Sequence, residues 1–185
     1  MDKKEFIELS LIFLIILLVS FKADMAVNSV VQSFRNPVSD IFFKIITNFA
    51  LAGLLFIAVP FIIILIKKKK QEILYFMTPA FAFVINVVLK LLIHRDRPNG
   101  IIEYQFFKLV DFSFPSTHAM IAFALLPLNF KNFPKQKYFF LVYAILVGLS
   151  RIYLGAHYLS DVVAGAFFGL GIGYMILIAS KKNDK

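Results

Sequence analysis

The chain has 185 residues, of which 60% are hydrophobic, and it carries a formal net charge of +9. Ordinary soluble domains are about 45–50% apolar even with glycine counted, so this composition excludes them and predicts one domain whose solvent is mostly lipid. The absence of cysteine excludes disulfides, thiolate nucleophiles and cysteine-ligated metals. The basic residues lie in short connecting segments and at the termini, so we attribute them to membrane topology and expect no nucleic-acid partner.

Six hydrophobic segments predict an all-α integral membrane protein, a six-transmembrane-helix bundle forming a single domain over residues 1–185. The segments are approximately 6–21, 41–66, 73–93, 117–130, 138–153 and 162–179. A bilayer core needs about 20 apolar residues per helix, so the fourth and fifth segments are short and their polar ends are expected slightly below the membrane surface. The first segment has no small-residue cleavage site and is interpreted as an uncleaved anchor.

A short interfacial helix is predicted between the first two membrane helices. Val27, Val30, Val31 and Phe34 recur at helical spacing, which is typical of an amphipathic helix lying in the membrane interface. A surface helix that packs against the bundle is the alternative interpretation.

The lysine and arginine residues predict the orientation of the bundle. Twelve of the twenty cations lie at the two termini and in the connections after the second and fourth helices. The positive-inside rule places this side in the cytoplasm. The sequence therefore predicts a multi-pass membrane protein with both termini cytoplasmic and with the opposite helix ends facing outside or the periplasm.

Three polar patches interrupt the apolar sequence, and all three fall on the predicted outer side. They are 90–98, 115–118 and 150–161, and together they contain all three histidines and three of the four arginines. Charged and imidazole side chains are costly at membrane depth, so such a cluster is a functional-site hypothesis by default. Cations, imidazoles and a carboxylate together are suited to cleaving a phosphate ester.

The first two patches provide candidate phosphate contacts. Lys90 and Arg97 are seven residues apart and share a face if the helix continues, although isolated cations at a membrane edge also snorkel. Ser116 or Thr117 is a candidate N-cap for the fourth helix, whose free N–H groups bind anions. Capping explains the serine and threonine but not His118, which would enter a hydrophobic helix.

The third patch pairs an imidazole with a carboxylate. His157 and Asp161 are four residues apart, and Arg151 ends the preceding helix. A carboxylate on one ring nitrogen fixes the tautomer and leaves the other nitrogen as a nucleophile. In an alternative interpretation Ser160 caps the helix and Asp161 only favours its positive end. Metal binding by the histidines, His94 included, and Asp161 is disfavoured because the nearby cations would repel a metal ion.

The patches resemble the tripartite signature of the type-2 phosphatidic acid phosphatase superfamily, K-x6-RP, PSGH and SR-x5-H-x3-D. The corresponding residues are Lys90 with Arg97 and Pro98, the segment 115–118, and Ser150 and Arg151 with His157 and Asp161. All spacings hold, and six helices with external motifs match the compact integral-membrane branch. Thr117 stands where the family usually has glycine, and its bulk would restrict how closely the backbone approaches phosphate.

The resemblance implies a metal-independent phosphatase that works through a phosphohistidine and needs no cofactor. His157 would attack phosphorus, Asp161 would orient it, and His118 would protonate the leaving oxygen. The phosphoryl oxygens would be held by Lys90, Arg97, Ser116, Thr117 and Arg151.

The expected partner is a membrane lipid phosphate, because the tail of such a substrate can stay in the bilayer while its phosphate reaches the site. The resemblance favours a polyprenyl diphosphate, phosphatidic acid or phosphatidylglycerophosphate; a lipid A phosphatase or a phosphotransferase of the same fold is the alternative. A non-enzymatic lipid-binding or transport bundle is a different class, and the lack of an internal repeat argues against a transporter.

Three glycines at four-residue spacing mark the last helix. Gly165, Gly169 and Gly173 allow a neighbouring helix to approach closely. We favour packing inside one chain over a dimer interface, and we expect a monomer or a weak homodimer.

Overall fold

Helices dominate the computed structural model, which describes residues 3–48, 53–66, 72–99, 102–104 and 109–182. The all-α prediction is confirmed, with one pair of three-residue antiparallel strands between two of the helices. In chain order the elements are α1 (Lys3–Ser33), α2 (Pro37–Ile46), a π-helical turn (Leu54–Ala58), α3 (Val59–Ile66), α4 (Glu72–Ile93), β1 (Ile102–Tyr104), β2 (Leu109–Asp111), α5 (Thr117–Asn132), a 3-10 turn (Pro134–Gln136), α6 (Lys137–Tyr153) and α7 (Leu159–Lys182).

The first helix is much longer than the sequence predicted. We expected it to end near Phe21 and a separate interfacial helix to follow at Val27–Phe34, but α1 continues to Ser33. The polar residues after Phe21 do not end the helix because Asp24 is buried and paired inside the protein. The separate interfacial helix at that position is therefore not confirmed.

The second predicted segment, 41–66, is divided. Asn36 caps α2 by accepting a hydrogen bond from the Ser39 N–H at 3.0 Å, and α2 ends at Ile46 with Thr47 as its C-cap. Part of the predicted helix, 49–52, lies outside the described residues, and so does the basic segment Lys67–Lys70. The helical chain resumes in the π-helical turn and α3.

The turn between α1 and α2 is fixed by an exposed ion pair. Arg35 donates to Asp40 at 2.7 Å and 3.1 Å, and this hydrogen bond lowers the pKa of the Asp40 carboxyl. Tyr153 of α6 accepts from the Asn36 N–H at 3.1 Å, so α2 is attached to the helix that carries Arg151.

Within the described ranges, three helices are long and apolar enough to cross a membrane. These candidate spans are Leu11–Ser33 in α1, Leu74–Ile93 in α4 and Leu159–Ser180 in α7. Their outer surfaces are apolar; Leu18, Val84 and Met175, for example, are more than half exposed. Large exposed apolar surfaces of this kind are typical of lipid-facing helices.

Helices α5 and α7 form the most extensive contact between elements in the described parts of the chain. A Cβ added at Gly165 would lie 2.6 Å from the Ser116 carbonyl oxygen, and one added at Gly169 or Gly173 would collide with the backbone of α5. The glycine series therefore packs within one chain, as we favoured. Helix α5 is also enclosed by α4 and α6, and Leu125 at its centre is fully buried.

Candidate active site

The three polar segments meet at one end of the bundle. They lie at the C-terminal ends of α4 and α6 and at the N-terminal ends of α5 and α7. Two hydrogen bonds to backbone carbonyls join them. The Arg97 side chain donates to the Ala156 carbonyl at 2.7 Å, and the Ser116 N–H donates to the Asp161 carbonyl at 3.0 Å. Segments far apart in sequence thus form one site.

His157 lies at the centre of this site and is only 1% exposed. Its Nε2 is 3.2 Å from Nη1 of Arg97, and its Nδ1 is 3.6 Å from Oδ2 of Asp161. A guanidinium can only donate hydrogen bonds, so Nε2 must accept and the ring proton belongs on Nδ1, facing the carboxylate. The nitrogen with a free electron pair is therefore the one directed at the cationic side of the site.

A tight turn presents His157 to the site. Helix α6 ends at Tyr153 and α7 begins at Leu159, and between them Gly155 adopts a positive φ of 67°. Side chains other than glycine rarely adopt that conformation, and an added Cβ would also collide with Asn99. His157 thus precedes α7, and its contact with Asp161 does not depend on both residues being helical.

The Asp161 carboxylate is fully buried and surrounded by donors. It accepts from the Tyr158 N–H at 2.8 Å, from the Ser113 hydroxyl and from Arg95 at 2.7 Å. Buried carboxylates are stable only when they are paired and hydrogen-bonded. The arrangement fixes the carboxylate oxygen that faces His157.

The three motif cations have separate protein partners. Lys90 is buried and donates to the Phe112 carbonyl, which directly precedes Ser113, the residue that binds Asp161. Helix α4 ends at Ile93, so Lys90 and Arg97 do not share a continuous helix, and they are 6% and 5% exposed. Arg151 in the last turn of α6 donates to Thr47 Oγ1 at 3.0 Å.

The segment 115–118 opens helix α5. Ser116 occupies the N-cap position without making a side-chain cap, and its buried Oγ has no hydrogen-bond partner among the described residues. The Thr117 hydroxyl instead donates to Asn86 of α4 at 2.6 Å. A buried hydroxyl without a partner at a helix N-terminus is suited to an anionic ligand.

The second histidine of the site, His118, is 7% exposed in the first turn of α5. It lies within electrostatic range of Arg151, His157 and Arg97 and of the Thr47 backbone. Arg97, which contacts Nε2 of His157, is therefore close to both buried imidazoles.

The remaining residues of the first patch divide between solvent and the site. His94 and Asp96 are exposed, and in the described ranges no group of three or more histidine and carboxylate side chains is placed to share a metal ion. Arg95, in contrast, contacts both Asp161 and Asp24 at 2.7 Å. Sequence reasoning assigned no role to Arg95, Asp24 or Ser113.

Comparison with known proteins identifies the class of this site. The family model of the PAP2 superfamily matches residues 71–185. The chain is 37% identical over 123 residues to the lipid A 1-phosphatase of Rhizobium johnstonii, covering 55% of this chain and 48% of the relative. It is 31% identical over 121 residues to the undecaprenyl-diphosphatase of Sulfolobus acidocaldarius, covering 61% and 58%.

A solved structure matches nearly the whole chain. The transmembrane PAP2-type phosphatidylglycerolphosphate phosphatase from Bacillus subtilis superposes with a TM-score of 0.75 at 27% identity, covering 95% of this chain and 96% of that one. The matched family model spans more than half of the chain, which therefore belongs to the PAP2 superfamily. It is a multi-pass membrane protein of that family, and it spans about half the length of the curated relatives.

Proposed function

We propose that this chain is a lipid phosphate phosphatase that transfers the phosphoryl group to His157 and then to water. The observation that carries the proposal is the buried His157 ring, with Arg97 at Nε2 and Asp161 at Nδ1. A histidine oriented in this way among fixed cations is an activated nucleophile beside a phosphate-binding site.

In the first step, Nε2 of His157 attacks phosphorus while the bond from phosphorus to the lipid oxygen breaks. The developing charge on the ring is stabilised by Asp161 through Nδ1–H, and His118 donates a proton to the departing oxygen. In the second step, the water oxygen attacks phosphorus while the phosphorus–nitrogen bond breaks and its electron pair returns to Nε2. His118 takes up a proton from the water, and inorganic phosphate leaves with His157 restored.

The phosphoryl oxygens are held by Lys90, Arg97, Arg151, the Ser116 hydroxyl and the backbone N–H of Thr117. Phosphoryl transfer has a loose transition state with charge spread over the equatorial oxygens, so positioning and electrostatic stabilisation supply most of the catalysis. The buried Ser116 Oγ supports this assignment because the protein offers it no partner in the described residues.

The proposed substrate class is a lipid phosphate: a polyprenyl diphosphate, phosphatidic acid or phosphatidylglycerophosphate. The names of the relatives support this class, since they include an undecaprenyl-diphosphatase and a phosphatidylglycerolphosphate phosphatase. A lipid A 1-phosphatase is also among them, so lipid A is the second candidate substrate.

The proposed architecture is one domain with six membrane crossings, both termini in the cytoplasm and the site on the outer side. The crossings would be α1, the π-helical turn with α3, and α4 to α7. Helix α5 has 16 residues and spans about 24 Å at 1.5 Å per residue. This is shorter than a hydrocarbon core of about 30 Å, which supports a site sunk below the membrane surface. We propose a monomer or a weak homodimer.

A liposome panel tests the proposed function. The purified protein is incubated with each lipid phosphate and with a soluble sugar phosphate, and inorganic phosphate is measured with and without EDTA. We expect release from lipid substrates that is unchanged by EDTA, and a loss of about 10³-fold or more in His157→Ala. Arg35→Ala is the control, because Arg35 contacts Asp40 and Gln32 and not a residue of the site, and it should retain wild-type rates.

The same panel separates the competing functions. Turnover at wild-type rate in His157→Ala would contradict the phosphohistidine mechanism. Loss of lipid phosphate without release of inorganic phosphate, with a second lipid becoming phosphorylated, would indicate a phosphotransferase. Binding of lipids without any change in their phosphate would indicate a non-enzymatic lipid-binding protein.

A further inference from the structure

An ion-pair network lies directly behind the His157 and Asp161 pair and involves none of the motif cations. Arg95 donates from Nη1 to Oδ1 of Asp161 at 2.7 Å and from Nη2 to Oδ2 of Asp24 at 2.7 Å. The guanidinium thus bridges two carboxylates from helices α1 and α7. Asp24 lies before residue 71, where the family match begins.

The guanidinium of Arg95 also contacts two aromatic rings. Its Cζ lies 4.2 Å from the ring centre of Tyr158 and 5.1 Å from that of Phe21. Such contacts attract a cation and restrict the rotation of its side chain. The residue is therefore fixed both by charge and by stacking, although 22% of its side chain is exposed.

Asp24 binds the N-terminal end of helix α7 as well as Arg95. Its Oδ1 accepts from the Ser160 N–H at 2.8 Å, and its Oδ2 accepts from the Ser160 hydroxyl at 2.5 Å. Free N–H groups and the helix dipole make this end favourable for a carboxylate. Asp24 therefore anchors the first turn of the helix that carries Asp161.

The network also holds the two oxygens of Asp161 in different roles. Arg95 occupies Oδ1, while Oδ2 accepts from the Ser113 hydroxyl and the Tyr158 N–H and faces Nδ1 of His157 at 3.6 Å. Ser113 Oγ lies 3.4 Å from the same Nδ1, so the carboxylate and the serine that it binds face the ring together. Rotation of the carboxylate would break the Arg95 contact, so the guanidinium helps to keep Oδ2 and Ser113 against the imidazole. Supporting partners of this kind affect the rate through the group that they hold.

We infer that Arg95 is a positioning residue for the nucleophile and that Asp24 holds Arg95 in place. This inference rests on the proposed role of His157. In this arrangement α1 is part of the catalytic apparatus, because Phe21 and Asp24 keep Arg95 against Asp161. Both terminal nitrogens of Arg95, Nη1 and Nη2, are bound by Asp24, Ser160 and Asp161, so we assign Arg95 a positioning role and not a phosphate contact.

The test measures kcat and KM for phosphate release by Arg95→Ala and Asp24→Asn. We expect kcat to fall about 10- to 100-fold in Arg95→Ala, with KM changed less than about 3-fold. Added guanidinium ion should restore part of kcat in Arg95→Ala in a saturable manner. Asp24→Asn retains an acceptor for the Ser160 N–H and should show a smaller loss of kcat in the same direction.

Arg35→Ala is the matched control. It removes another arginine–aspartate pair, the one between Arg35 and Asp40, and should leave kcat unchanged with or without guanidinium. The elution profile in detergent and the inhibition constant for inorganic phosphate verify that each variant is folded with an intact phosphate site.

The outcomes distinguish this inference from the proposed function. Wild-type kcat in a folded Arg95→Ala would overturn the inference, and so would a change in both variants that is confined to KM. If His157→Ala is inactive in the same assay, the phosphohistidine mechanism still stands. If Arg95→Ala does not fold, wild-type kcat in Asp24→Asn would overturn it. An active His157→Ala would instead overturn the proposed function, and the inference with it.

Discussion

The close contact between α5 and α7 makes Gly165 a sensitive position. A Cβ at residue 165 would lie 2.6 Å from the Ser116 carbonyl oxygen and 3.2 Å from both the Met120 nitrogen and the Ala119 Cβ. Ser116 and Asp161 are themselves joined by a backbone hydrogen bond of 3.0 Å. The substitution Gly165→Ala therefore separates the two helices at the site.

The size of the displacement follows from these distances. An ordinary contact requires 3.4 Å, so the Ser116 backbone and α7 must move apart by about 0.8 Å. Overpacking of this kind costs about 1–3 kcal/mol of stability. A displacement of about 1 Å at reacting groups can lower the rate about 10²-fold.

Gly171 offers a matched control in the same helix, since a Cβ there has no neighbour within 4 Å. We expect Gly165→Ala to lower both kcat for phosphate release and the thermal unfolding midpoint in detergent. Gly171→Ala should keep kcat within about twofold and gain roughly 0.5–1 kcal/mol of stability from alanine in a helix. Wild-type kcat and midpoint in Gly165→Ala would refute the packing argument.

Three further substitutions probe the site. Ser113→Ala removes the hydroxyl that donates to Asp161, so kcat should fall about 10-fold; an unchanged kcat would contradict that role. Thr117→Val leaves Asn86 Oδ1 without its donor and should destabilise the fold by about 1–3 kcal/mol, whereas an unchanged unfolding midpoint would show that the bond contributes little. His118→Ala should slow hydrolysis of alkyl phosphates more than that of p-nitrophenyl phosphate, whose leaving group needs no proton; equal losses would exclude His118 as the acid.

The meeting of the three motif segments at one end of the bundle was predictable from the sequence. The spacing of Lys90 and Arg97, and of His157 and Asp161, is read directly from the chain, and helices of alternating direction bring those segments to the same end. The helix ends were predictable to within three residues for α4 to α7, since apolar length and the polar patches mark them.

The supporting residues were not predictable by the same reasoning. The predicted first segment ends at Phe21, so Asp24 lies outside it. An ionisable residue inside a span is a functional-site signal, and it would have identified Asp24 had α1 been extended to Ser33. Arg95 could not be assigned from spacing alone, because its partners come from α1 and α7 and the pairing exists only in the folded chain.

The most direct test of the central claim is isolation of the phosphoenzyme. The protein is mixed with a lipid substrate labelled in the phosphate, quenched within one turnover, and digested for mass analysis. We predict a phosphoramidate on His157 that is labile in acid, stable in base and absent from His157→Ala. In His118→Ala it should accumulate when p-nitrophenyl phosphate is the substrate, because that leaving group needs no proton while the release of phosphate from His157 does need His118. Turnover by the wild-type protein with no label on any histidine, or with label on another residue, would contradict the account.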